Sequence, residues 1–152
     1  MADAAHGTGH IVELGAGTGP VTRVLASQYP DVRLTVVELL PALAAELSRA
    51  HPRALVLARP AAEVLDQLSY EGLPVAIVSS LPFRSMPAPA RMETRNSILH
   101  FLRRNSGSWL VQFTYQPRAP FDGEHGFTWR RTRTVVANIP PAGVWTLRAT
   151  GH

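Results

Sequence analysis

Two patterns of apolar residues alternate along the chain. Short β-branched runs at residues 10–14, 33–38, 54–58 and 74–79 read as strands. Between them, stretches 20–29, 41–51 and 61–70 carry apolar residues at helical spacing, as Leu43, Ala44 and Leu47 do in the second. Four consecutive strand and helix units of this kind predict a parallel sheet with right-handed crossovers, whose ligands bind outside the carboxyl ends of the strands. After the turn-rich residues 80–89, a further helix is expected over 90–104, with Met92, Leu99 and Leu102 facing the core and Arg91, Arg95, Arg103 and Arg104 around them. Residues 108–115 read as a fifth strand, and 127–137 and 144–149 alternate like antiparallel edge strands. With neither an internal repeat nor a linker, the 152 residues form a single α/β domain.

The first strand runs into Ile11-Val12-Glu13-Leu14-Gly15-Ala16-Gly17-Thr18-Gly19-Pro20, an apolar run closing on three alternate glycines. Glycines at 15, 17 and 19 allow a sharp turn and a close backbone approach to a ligand, and the helix that follows directs its first amides at that turn. Pro20 suits a first helical turn. It also occupies the position where a dinucleotide fingerprint has its third glycine or alanine, and Glu13 at the strand end suits a ligand amine better than a pyrophosphate. Glu38 ends the second strand about 20 residues after the turn, where an acid takes ribose hydroxyls.

Composition narrows the setting. The chain has no cysteine, so disulfides, thiolate metal sites and a cysteine nucleophile are excluded, and a reducing, cytoplasmic location is expected. No apolar run approaches the length of a membrane span, and no signal peptide is recognisable. The six histidines show no metal-ligand spacing, and His6 and His10, near the terminus, are expected at the surface. Charge is uneven: 5 arginines stand against 8 acids up to residue 82, and 10 against 3 after it, with no lysine anywhere. An arginine-rich second half suggests an anionic partner, lipid phosphate or nucleic acid, because the guanidinium fork holds phosphate bidentately.

The segment from Glu13 to Gly19 resembles motif I of class I S-adenosylmethionine (SAM) methyltransferases. Together with Val78-Ser79-Ser80-Leu81-Pro82, Val111-Gln112-Phe113-Thr114-Tyr115-Gln116-Pro117 and Asn138-Ile139-Pro140-Pro141-Ala142-Gly143-Val144-Trp145, it resembles the bacterial phospholipid N-methyltransferases, which methylate phosphatidylethanolamine. The resemblance covers nearly all of residues 9–148. It implies a Rossmann-like, mostly parallel sheet with an antiparallel C-terminal strand and helices on both faces. It implies SAM as cofactor, bound by Glu13, Gly15, Ala16, Gly17, Thr18, Gly19, Glu38, Leu39, Ser80 and Leu81, with no metal. Those enzymes resemble in turn the ribosomal RNA adenine dimethyltransferases, whose fourth strand ends in Asn-Leu-Pro-aromatic. Here the asparagine position is Ser79, which favours an amine other than a planar base, so a lipid head group is preferred over nucleic acid.

Methyl transfer to nitrogen is an in-line displacement that requires two aligned reactants and an unprotonated amine. By position at the strand ends, Ser79 and Tyr115 are expected at the reacting amine and Pro82 and Tyr115 against the substrate, with Arg130 and Arg133, and Arg131 beside them, expected on the lipid phosphate. The expected partner is an anionic membrane surface, met peripherally. Three departures accompany the resemblance. Pro60 stands where the family has an acid after strand three, with Glu63 the nearest substitute; Val75 stands where an acid often begins strand four; and where the family has a longer helical segment before motif I, this sequence supplies residues 1–9. An RNA or small-amine methyltransferase and a non-catalytic SAM- or lipid-binding protein remain the alternatives.

Overall fold

The computed structural model describes residues 5–68, 72–115, 118–135 and 142–150, with the backbone alone at 132–135 and 142. In chain order the elements are β1 (His10–Leu14), α1 (Pro20–Gln28), β2 (Arg33–Val37), α2 (Pro41–Ala50), β3 (Leu55–Leu57) and α3 (Ala61–Gln67). β4 (Val75–Ser79), α4 (Ala88–Arg104), β5 (Trp109–Thr114), β6 (Phe127–Val135) and β7 (Ala142–Ala149) complete the domain. The strands form one seven-stranded sheet in the order β3-β2-β1-β4-β5-β7-β6. Strands β1 to β5 are parallel, whereas β7 runs antiparallel to both β5 and β6.

Every residue of β1 and β4 is buried, as expected of central parallel strands covered on both faces. Alternation sends Val12, Leu14, Val75, Ile77 and Leu110 to one face, against Leu65 of α3 and Ile98, Phe101 and Leu102 of α4. Ile11, Val36, Ala76, Val78 and Val111 face the other way, onto Leu25 of α1 and Leu47 of α2. The strand order reverses between β1 and β4, and Leu14 and Ser79 are register partners there. The loops leaving those two strands are therefore neighbours at the carboxyl edge, where this topology opens a crevice.

Several expectations need correction. Met92 is 60% exposed, and the buried face of α4 begins only at Thr94, because the first turns of the helix lie ahead of the segment that packs on the sheet. His10 is buried, since it opens a central strand; its Nε2 bonds the Thr35 hydroxyl at 2.9 Å. Residues 69–70 of the third expected helix, 136–137 of the sixth expected strand, Gln116-Pro117 and Asn138 to Pro141 lie outside the described residues.

Candidate active site

The turn after β1 takes its shape from its glycines. Gly15, Gly17 and Gly19 have φ of 73°, 56° and 83°, in the left-handed region that L side chains resist, and among the described residues only glycine adopts positive φ. At two of the three a Cβ would also displace the tip of a neighbouring leucine. A Cβ on Gly15 would meet the Leu81 side chain at 2.7 Å, and one on Gly19 would meet Leu47 at 2.6 Å. At Gly17 nothing lies within 4 Å of such a Cβ, so this residue opens onto free space. The backbone closes around it: Gly15 and Ala16 both donate to the Val37 carbonyl, at 2.9 and 3.3 Å, and Gly19 donates to that of Ala16 at 2.9 Å. Thr18 is exposed at the tip.

Two carboxylates flank the turn in different states. Glu38 is bonded at both oxygens, accepting from Gly17 N–H at 2.8 Å and Leu40 N–H at 3.0 Å. This ties the loop after β2 to the glycine turn and leaves the outer lone pairs free. Glu13 is fully buried, with no hydrogen-bond partner for either oxygen. Burial pushes its pKa up to about 7; the Thr22 hydroxyl and N–H oppose the shift without reaching good bonding geometry, and Glu38 adds to it. Just beyond Glu38, Leu39 is 63% exposed, a large apolar side chain at the carboxyl edge of the sheet.

Across the crevice lies a cavity of about 240 Å³, lined by Ser80, Leu81, Pro82, Phe113 and Tyr115 among others. Leu81 joins the two halves, since it packs on Gly15 and also lines this cavity. Both of its backbone groups are held by side chains from strand ends. Its N–H donates to Ser79 Oγ at 3.3 Å, and its carbonyl accepts from Gln112 Nε2 at 3.0 Å. The same Nε2 donates to the Phe113 carbonyl at 2.8 Å, while Gln112 Oε1, buried, has no partner. Ser79 itself is fully buried with its hydroxyl turned into this loop, so it reaches the cavity through Leu81. Tyr115 is 55% exposed and stands edge-on to Phe113, ring centroids 5.1 Å apart.

In the sequence Gln112 is one residue of the motif 111–117, with no role of its own expected. Its signal was a single amide in an otherwise apolar strand, and only the register with Ser79 reveals its use. Arg130 is placed elsewhere: with Arg131, Thr146 and Arg148 it lines a separate groove on the β6–β7 pair that, among the described residues, shares none with the cavity beside Leu81. Arg131 and Arg148 stack there over Trp145 and Trp109. Arg133 is described by its backbone only, opposite Val144 across a bulge in β6. Glu63 is paired with Arg59 at 3.1 Å, and Pro60 caps α3. Val75 is core, its N–H donated to Ser108 Oγ at 2.9 Å.

No family model matches the chain. A curated relative, the ornithine lipid N-methyltransferase of Singulisphaera acidiphila, is 33% identical over 152 residues, spanning 91% of this chain and 74% of that protein. The chain belongs to the bacterial lipid N-methyltransferase family of SAM-dependent enzymes. Solved structures share its fold at lower identity. A ribosomal RNA methylase from Streptococcus thermophilus superposes with a TM-score of 0.67 at 14% identity, covering 99% of this chain and 92% of that one. The N-methyltransferase NodS of Bradyrhizobium japonicum gives 0.64 at 14% identity, covering 98% and 89%.

As a class I N-methyltransferase the chain uses SAM, and the turn fits that ligand. The open face of Gly17 admits close approach, the unpaired Glu13 carboxylate suits a cation, and Glu38, held by Gly17 and Leu40, retains acceptor capacity for hydroxyls. When bound, SAM supplies a sulfonium methyl as electrophile. Among the described residues no cluster of His, Asp or Glu able to hold a metal occurs, and no helix is long and apolar enough to cross a membrane.

Proposed function

We propose that this N-methyltransferase acts on the primary amine of a membrane lipid head group, phosphatidylethanolamine being the acceptor to which its motifs point. The observation that carries this reading is the double role of Leu81, which touches the glycine turn on one side and walls the acceptor cavity on the other. A methyl donor held at the turn and an amine in the cavity would be separated only by that residue's surroundings, the arrangement that an in-line transfer needs.

In this reading Glu13, Gly15, Ala16, Gly17, Thr18, Gly19, Glu38 and Leu39 bind the cofactor, with Ser80 and Leu81 closing over it from β4. The cavity's apolar walls, Leu81, Pro82, Phe83 and Phe113, disfavour an ammonium and so help present the amine with its lone pair free. The Tyr115 ring offers its face to a methylated, cationic nitrogen. Ser79 and Gln112 act one step back, by fixing Leu81. The groove of Arg130, Arg131 and Arg148 suits the anionic membrane surface rather than the reacting lipid. A second reading, an ornithine lipid as acceptor, is favoured by the 33% identical relative, which bears that name.

Labelled SAM offered with phosphatidylethanolamine, ornithine lipid and a structured RNA tests the reading directly. Label is expected in the lipid extract, with transfer from anionic vesicles falling steeply as salt rises. Label in RNA and none in lipid would overturn it.

A further inference from the structure

Among the described residues the acceptor cavity contains a single charged one, Arg84, and this residue also lines the next depression along the surface. That second groove, about 500 Å³, adds Arg91, Arg95 and Met92 to Arg84 and Pro120, with Asp122 as its one acid among the described residues. The two spaces are thus contiguous through Arg84 and Pro120.

The cations in the groove are not equally free. Arg95 is engaged by Glu124 at 3.6 Å and lies over the Phe121 ring at 5.8 Å. Arg84 donates from Nη2 to the Ala119 carbonyl at 3.0 Å, which anchors the guanidinium without neutralising it. Among the described residues neither Arg84 nor Arg91 forms an ion pair. An anchored guanidinium with donors to spare, at the mouth of an apolar cavity, presents the fork that a carboxylate or phosphate accepts bidentately. Beside it Met92, 60% exposed, sets an apolar side chain among the arginines.

We propose that Arg84, supported by Arg91, is the anion subsite of the acceptor pocket and selects amines that carry a carboxylate or phosphate a short chain away. This inference rests on the lipid-amine reading above and deepens it. A head group of either kind has the required form, with the amine in the apolar cavity, the anion on Arg84 and the apolar remainder passing Met92. It also gives the anion-binding role to a residue that shares the acceptor cavity, which Arg130 does not.

The test uses the full chain and Arg84→Gln, with their melts compared first; the exposed position predicts a folded variant. Acceptors are an N-acylornithine with a free carboxylate, its methyl ester, and phosphatidylethanolamine in neutral micelles. The wild type should favour the carboxylate over the ester, and Arg84→Gln should cut that kcat/KM ratio about tenfold, the usual penalty for losing a charge-assisted pair. If phosphate is the native anion, the tenfold loss appears with phosphatidylethanolamine instead. A carboxylate preference and a phosphatidylethanolamine kcat/KM both unchanged in the variant overturn the subsite. If the wild type methylates no lipid, the acceptor reading itself has failed; titration of glycerophosphoethanolamine and N-acylornithine into the protein still decides the subsite, and equal binding by both proteins overturns it.

Discussion

From Glu13 to Gly19 the proposed cofactor side is built of consecutive residues joined to the next strand by Glu38, whereas the proposed acceptor side is gathered from residues 80–85, 112–115 and 120. The two sides also differ in character. One carries two carboxylates, of which Glu13 is buried and unpaired; the other is largely apolar, with Arg84 its one cation among the described residues. A local turn can be damaged at one position without disturbing distant packing. A pocket made of contacts 31 residues apart in sequence, as Gln112 is from Leu81, fails when one clamp is lost. Perturbations on the two sides should therefore separate binding of cofactor from turnover.

The largest effect is expected at Glu13. Its folded pKa of about 7 lies above the usual 4.5, so the folded state holds the proton more tightly than the unfolded one. The contribution of Glu13 is then fully present below pH 4.5, declines as pH rises to about 7, and is flat beyond, by on the order of 3 kcal/mol in all. Denaturant titrations of the cofactor-free protein should show this loss, and Glu13→Gln should remove it. A pH profile identical in the variant would mean that the carboxylate is not strained by burial.

Next comes Gly17→Val. A branched side chain would project into the open face and also suffer the left-handed φ, costing roughly 1–2 kcal/mol of stability. Calorimetry should show SAM affinity reduced about a hundredfold with a cooperative melt retained. Unchanged affinity would remove this face of the turn from the cofactor site.

Gln112→Leu should have the smallest effect of the three and the most selective one. It leaves the Leu81 and Phe113 carbonyls without their side-chain donor. We expect kcat to fall about tenfold through misplacement of the cavity wall, with the Kd for SAM changed far less. Equal losses in both would show that Leu81 transmits the damage to the glycine turn, and the division into two sides would dissolve.

Much of this was legible in the sequence because it is local. The strand and helix alternation reproduces every element within a few residues, since period and burial of a parallel sheet are written into each short run. The glycine turn was legible for the same reason: φ at 15, 17 and 19 is a property of those residues and their immediate neighbours. So was Glu38, whose distance from the turn follows from one helix and one strand. Tertiary structure decided the rest, wherever a role depends on which distant residue lies alongside. His10 is buried because β1 became central; Met92 is exposed because α4 meets the sheet only from Thr94 onward. Gln112 reaches the Leu81 carbonyl through its register with Ser79, and Arg84, rather than Arg130, shares the proposed acceptor cavity because the loop after β4 returns beside β5 while the arginines of β6 line another groove. Periodicity encodes which face a residue takes, but adjacency between strands and loops is set by the global packing of the sheet, which no short window of sequence contains.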